Sequence, residues 1–164
     1  MPTACRSRTI AAPAREIWEV VSDPHHLPRW WPRVERVEDV RERAFTEVMR
    51  TRKGKLVRAD FDVVSIEGGD QGCRVRWDQR IEGTPFASVL RSCEIELRLV
   101  PVADAADEAR GAAATEVTIE LRQELRKASA RIGGSMPRAG SFLVRRAARA
   151  TVGEALAGLE RISG

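Results

Sequence analysis

A few polar side chains stand where strand alternation would otherwise place only apolar ones, and they carry most of the chemistry this sequence offers. Glu47 lies between Phe45 and Met49, and Gln79 follows Cys73, Val75 and Trp77 at every second position. Arg91 shares the parity of Val89, Cys93, Ile95, Leu97 and Leu99, and Gln123 that of Val117, Ile119 and Leu121. Successive strand side chains point to opposite faces, so each of these polar groups is expected on an inward face. A buried amide without a partner costs about 1–3 kcal/mol, so Gln79 and Gln123 call for a ligand group, a backbone group or a buried water. A guanidinium turned inward needs a carboxylate, an anion or a wet rim, and Glu47 is the expected partner of Arg91. In a functional reading, Arg91 holds a ligand carboxylate or stabilises an enolate while Glu47 moves protons. In a structural reading, the same pair is an ion bridge or a rim pair.

Other chemistry-bearing residues are less organised. His25 and His26 are adjacent on a polar turn, where acid–base work near neutrality competes with simple solvation. Cys5, Cys73 and Cys93 are odd in number and at no metal-ligand spacing, which speaks against a disulfide framework. Cys73 and Cys93 fall in strand patterns and read as small buried hydrophobes. The residues call for no metal and no cofactor.

The elements that must position these groups follow from periodicity. Pro13 opens a helix whose Ile17, Trp18 and Val21 share one face. Asp23 is placed to cap a second, short helical segment with Pro24 as its first residue, and that segment ends at Trp30-Trp31. From Val34 to Arg126 the pattern alternates, with turns at Gly54 and at Gly68-Gly69-Asp70-Gln71-Gly72. The inward set of one strand is Cys73, Val75, Trp77, Gln79 and Ile81, and that of the last is Val117, Ile119, Leu121, Gln123 and Leu125. The stretch ADAADEARGAAA, 103–114, reads as a long mobile hairpin loop. A final helix is expected from about Ser135–Pro137. It carries one apolar stripe: Leu143, Val144, Ala147, Ala148, Thr151, Val152, Ala155, Leu156, Leu159 and Ile162. Arg138, Arg145, Arg146 and Arg149 mark its back, a solvated face or a contact for an acidic partner, an anionic lipid surface or a second copy.

Composition narrows the classes. At 164 residues the chain is expected to be one domain, residues 1–164. The net charge of +4 comes from 28 Lys+Arg against 24 Asp+Glu, with the acidic residues scattered through the same strands. That lacks the basic, aromatic-interleaved stripe of a nucleic-acid binder, so no nucleic-acid partner is expected. No apolar run approaches the ~20 residues of a transmembrane helix, and MPTACRSRTI lacks the apolar core of a secretory signal. A cytoplasmic protein, monomeric or homodimeric, is expected.

The order of one strand, two short helices, a run of strands and one long amphipathic helix resembles the helix-grip proteins, the SRPBCC superfamily of START, pollen-allergen and polyketide cyclase proteins. The resemblance rests on TIAAPAREIW, SDPHHLPRWWPRV, IEGTPF at 81–86 and FLVRRAARATVGEALAGLERI, and is nearest to the bacterial polyketide cyclase/dehydrase and lipid-transport group. It implies an α+β fold in which a curved antiparallel sheet of about seven strands wraps a long C-terminal helix around an internal cavity. It also implies a hydrophobic, polyketide- or lipid-like ligand, with cyclase or dehydratase activity or with a carrier or sensor role. The expected lining is Trp31, Met49, Phe61, Trp77, Gln79, Ile95, Leu97, Ile119, Gln123, Leu143 and Ala147. Cyclases of the group use cavity Arg, Tyr, Ser or His groups. This chain has no Tyr, and no catalytic position transfers residue by residue.

Overall fold

The computed structural model describes residues 3–69, 72–102, 111, 113–126 and 138–163, the side chains of 138–141 excepted. Strand β1, Ala4–Ile10, leads into helix α1, Ala14–Val21, which buries Ile17 and Val21 as the periodicity predicts. A single turn of 3-10 helix, Pro24–His26, and the short helix α2, Leu27–Trp30, follow. The Asp23 carboxylate accepts the His25 backbone N–H at 3.0 Å, which stops α1 and starts the next turn.

Six further strands complete the sheet: β2 Val34–Arg41, β3 Ala44–Arg50, β4 Leu56–Gly69, β5 Gly72–Arg80, β6 Leu90–Pro101 and β7 Thr115–Leu125. The seven strands lie in the order β1-β7-β6-β5-β4-β3-β2, so a meander from β2 to β7 is closed by β1 alongside β7. Every neighbouring pair is antiparallel. Register shifts in β2, at Val63/Ser65 and at Leu90/Ser92 mark bulges, and bulges bend and twist a strand. Gly72 closes the β4–β5 hairpin opposite Gly69; a Cβ there would meet the Leu99 carbonyl oxygen at 2.8 Å.

The C-terminal helix α3, Arg138–Ser163, packs on β1 and β7 and against α2. Ala148, Val152, Ala155, Leu156 and Leu159 are buried along one side. Gly158 lets α3 approach α2 closely, since a Cβ at that position would lie 2.3 Å from the Trp30 carbonyl oxygen. Helix and curved sheet thus form two layers with their apolar faces turned to each other, the α+β helix-grip architecture expected from the element order.

The helix stripe is covered over only part of its length. Leu143 is 61% exposed, and Ala147 is exposed too, so the expectation that both line the interior is corrected. Periodicity identifies the apolar face of a helix but not where its partner surface ends. The expected helix start at Ser135–Pro137, and nearly all of the expected loop at 103–114, lie outside the described residues.

Candidate functional site

Between α2, α3 and the sheet, the inner face is aromatic on one side. Trp30 and Trp31 meet edge to face at 5.4 Å, and Trp77 lies 6.4 Å from Trp30 and 6.3 Å from Trp31 between ring centroids. Phe45 stacks on Phe61 at 5.4 Å and abuts Trp77 at 5.5 Å. The register explains the cluster: Phe45 faces Phe61, Val63 faces Trp77, and Trp77 faces Ile95 across adjacent strands. Leu97 opposite Ile119 extends the apolar surface toward β7. Met49 is half-buried at the margin, opposite Val34 and Val57.

Polar atoms interrupt this surface. Glu47, opposite Ala59, is only 1% exposed, and its Oε1 has no hydrogen-bond partner among the described residues. Across the sheet Glu47 is flanked by the small Ala59 on β4 and by Val37 on β2, neither of which can hydrogen-bond through its side chain. Gln79, opposite Phe61, has an unpartnered Nε2, and the indole Nε1 of the buried Trp30 is likewise unpartnered. Gln123 lies opposite Cys93 and turns its Nε2 to the Cys93 Sγ at 4.0 Å.

Burial pushes the Glu47 carboxyl up to about 8, so at neutral pH it is chiefly a neutral acid with one O–H to donate. Burial likewise pushes the Cys93 thiol up to about 12, which keeps it a neutral S–H and not a nucleophile. Alternation alone placed Cys93 inward but gave no sign that it joins a polar row; its position opposite Gln123 is the signal that would have found it.

Arg91 does not belong to this row. Ser92 pairs with Glu124 and Leu90 with Leu125, so Arg91 is the extra residue of a bulge. Its parity is reversed there: Leu90 is buried, while the Arg91 side chain is 73% exposed and faces Glu124 at 3.9 Å. The expected Arg91–Glu47 pair is therefore absent, and among the described residues no cation pairs with Glu47. His25 and His26 sit on the outer turn, where His25 Nδ1 lies 2.8 Å from the Asp23 carboxylate and His26 Nδ1 lies 3.0 Å from Arg29. Arg145, Arg146 and Arg149 are exposed on the back of α3. Among the described residues no cluster of metal-ligating side chains is present, and no helix is long and apolar enough to cross a membrane. A solvent-open recess of about 430 Å³, lined by Arg33, Val34, Glu35, Arg50, Thr51 and Arg52, shares no residue with the inward polar row.

Comparison with known proteins agrees with this architecture. Several solved structures superpose along nearly the whole chain at low identity. XoxI from Bacillus cereus matches with a TM-score of 0.67 and 10% identity, over 98% of this chain and 94% of that one. A START superfamily protein from Mycobacterium smegmatis matches with a TM-score of 0.58 and 17% identity, over 98% and 95%. The Zhui aromatase/cyclase from Streptomyces sp. R1128 matches with a TM-score of 0.64 and 18% identity, over 96% and 88%. No curated protein matches the sequence. The model of the family described as polyketide cyclase / dehydrase and lipid transport matches residues 10–149, most of the chain, and the protein belongs to that family.

Proposed function

We propose that the protein binds a hydrophobic small molecule, polyketide- or lipid-like, between the inner face of its sheet and helix α3. Family membership supports this reading, because the family's description names polyketide cyclases, dehydrases and lipid transport. The observation that carries it is the Glu47 carboxyl: a fully buried acid whose Oε1 has no partner among the described residues, beside an aromatic wall. An orphaned buried carboxyl costs stability, and a guest that accepts its hydrogen bond offsets that cost. Trp31, Phe61, Trp77, Ile95, Leu97 and Ile119 supply apolar contact, and Gln79 a second polar one. Uptake of the neutral dye Nile red tests this. A saturable rise in dye emission with quenching of tryptophan fluorescence is expected; a folded protein that refuses the dye contradicts the reading.

A second reading follows from the same carboxyl. In its neutral form Glu47 has a proton to hand to a carbonyl or a departing hydroxyl, the step that cyclisation with dehydration requires. An enzyme of this kind folds a flexible chain into a reactive conformer and protonates it in place. Glu47→Gln separates the two readings: an enzyme loses turnover while keeping dye uptake, whereas a carrier keeps both uptake and release.

A further inference from the structure

The inward polar groups differ from those of a site built for anions. Among the described residues Glu47 is the one charge-bearing side chain buried, and no Lys or Arg is buried with it. The one Arg whose sequence parity pointed inward, Arg91, is turned to solvent by the bulge at Leu90/Ser92. What the interior offers is donors: the Gln79 amide Nε2 and the Trp30 indole N–H, both buried and without a partner among the described residues, and the Glu47 carboxyl.

We infer that this interior selects an uncharged, carbonyl-bearing apolar ligand, such as a ketone, quinone or ester, and turns away the carboxylate of the same carbon chain; the inference rests on the binding function proposed above. A carbonyl oxygen accepts a hydrogen bond from such a donor without bringing charge into the interior. A carboxylate meets the same donors but must shed its water with no buried cation among the described residues to receive it, and desolvated charge without a partner is strongly disfavoured. An alkane avoids the charge but leaves the donors unpaired, so it ranks below the ester.

Competition with Nile red among methyl laurate, laurate and dodecane tests the ranking at a pH where laurate is ionised and Glu47 is not. Methyl laurate is expected to displace the dye about tenfold more tightly than dodecane and about a hundredfold more tightly than laurate. Gln79→Met is expected to cost methyl laurate about tenfold and to leave dodecane unchanged. Laurate binding as tightly as methyl laurate overturns the inference, and a loss of laurate binding in Arg91→Ala overturns it by showing that a cation serves the site. Equal displacement by all three also overturns it while leaving hydrophobic binding intact. Failure of the protein to take up dye at all removes both the binding function and this inference.

Discussion

The two faces of the sheet treat the same residue type in opposite ways. On the outer face Glu120 receives Arg98 and Arg122, Arg98 also reaches Glu96 at 3.3 Å, and Arg74 chelates Glu67 at 2.8 and 2.9 Å. Arg80 meets Asp62 at 3.0 Å on the same side. Each of these charges has a counter-ion and water within reach. On the inner face Glu47 is buried with no counter-ion among the described residues, and its carboxyl stays protonated near neutrality. One face is a solvated lattice of ion pairs within and between strands; the other is an apolar surface with a small set of unspent hydrogen-bond donors. The difference lies in surroundings, since the sequence spells both with Glu at alternate positions of a strand.

That contrast can be broken from either side. The largest effect belongs to the inner wall: Trp77→Ala removes the ring shared by Trp30, Trp31 and Phe45, and denaturant titration is expected to show a loss of about 3–5 kcal/mol. Next comes Glu47→Gln. The folded state raises the Glu47 pKa from 4.5 to about 8, so between those values the folded protein holds a proton that the unfolded chain has released. Stability from this group is therefore fullest below about 4.5, falls as pH rises through the window, and levels off above about 8. The variant is expected to remove that slope and to exceed the parent at alkaline pH by an amount on the order of a few kcal/mol, read as Tm against pH. An unchanged pH profile contradicts the assignment.

Outer-face changes should be smaller. Glu120→Gln, which weakens contacts to both Arg98 and Arg122, is expected to cost about 1 kcal/mol, and the cost should shrink in high salt. Arg91→Ala, at an exposed pair, is expected to cost about 0.5 kcal/mol or less in the same titration. A large loss there would place Arg91 in the interior after all.

These differences also explain what could be read in advance. Alternation in β5 and β7 is unbroken over the relevant residues, so the inward placing of Trp77, Gln79, Ile119 and Gln123 was legible. The order of elements, with Pro13, Asp23-Pro24 and the long C-terminal stripe, carried the fold. Arg91 was misplaced because one bulged residue reverses parity, and nothing in Val89-Leu90-Arg91-Ser92 distinguishes a bulge from a regular strand. Once Arg91 is turned outward, the character of Glu47 changes from half of an ion pair to a lone neutral acid. Leu143 was misplaced for another reason: a continuous stripe on α3 says which side is apolar, while the extent of the sheet beneath it is set by strands far away in sequence. The polar role of Cys93 depends on its pairing with Gln123 across β6 and β7, a register that strand patterns alone do not specify.

The protonation of Glu47 can be followed directly by a pH titration of carboxyl-labelled glutamate, using Glu47→Gln to assign the signal. The account predicts one carboxyl that remains protonated through neutrality and titrates near 8. A Glu47 signal that ionises at its ordinary value of 4.5 would mean that water or a cation reaches the inner face, and would contradict the account.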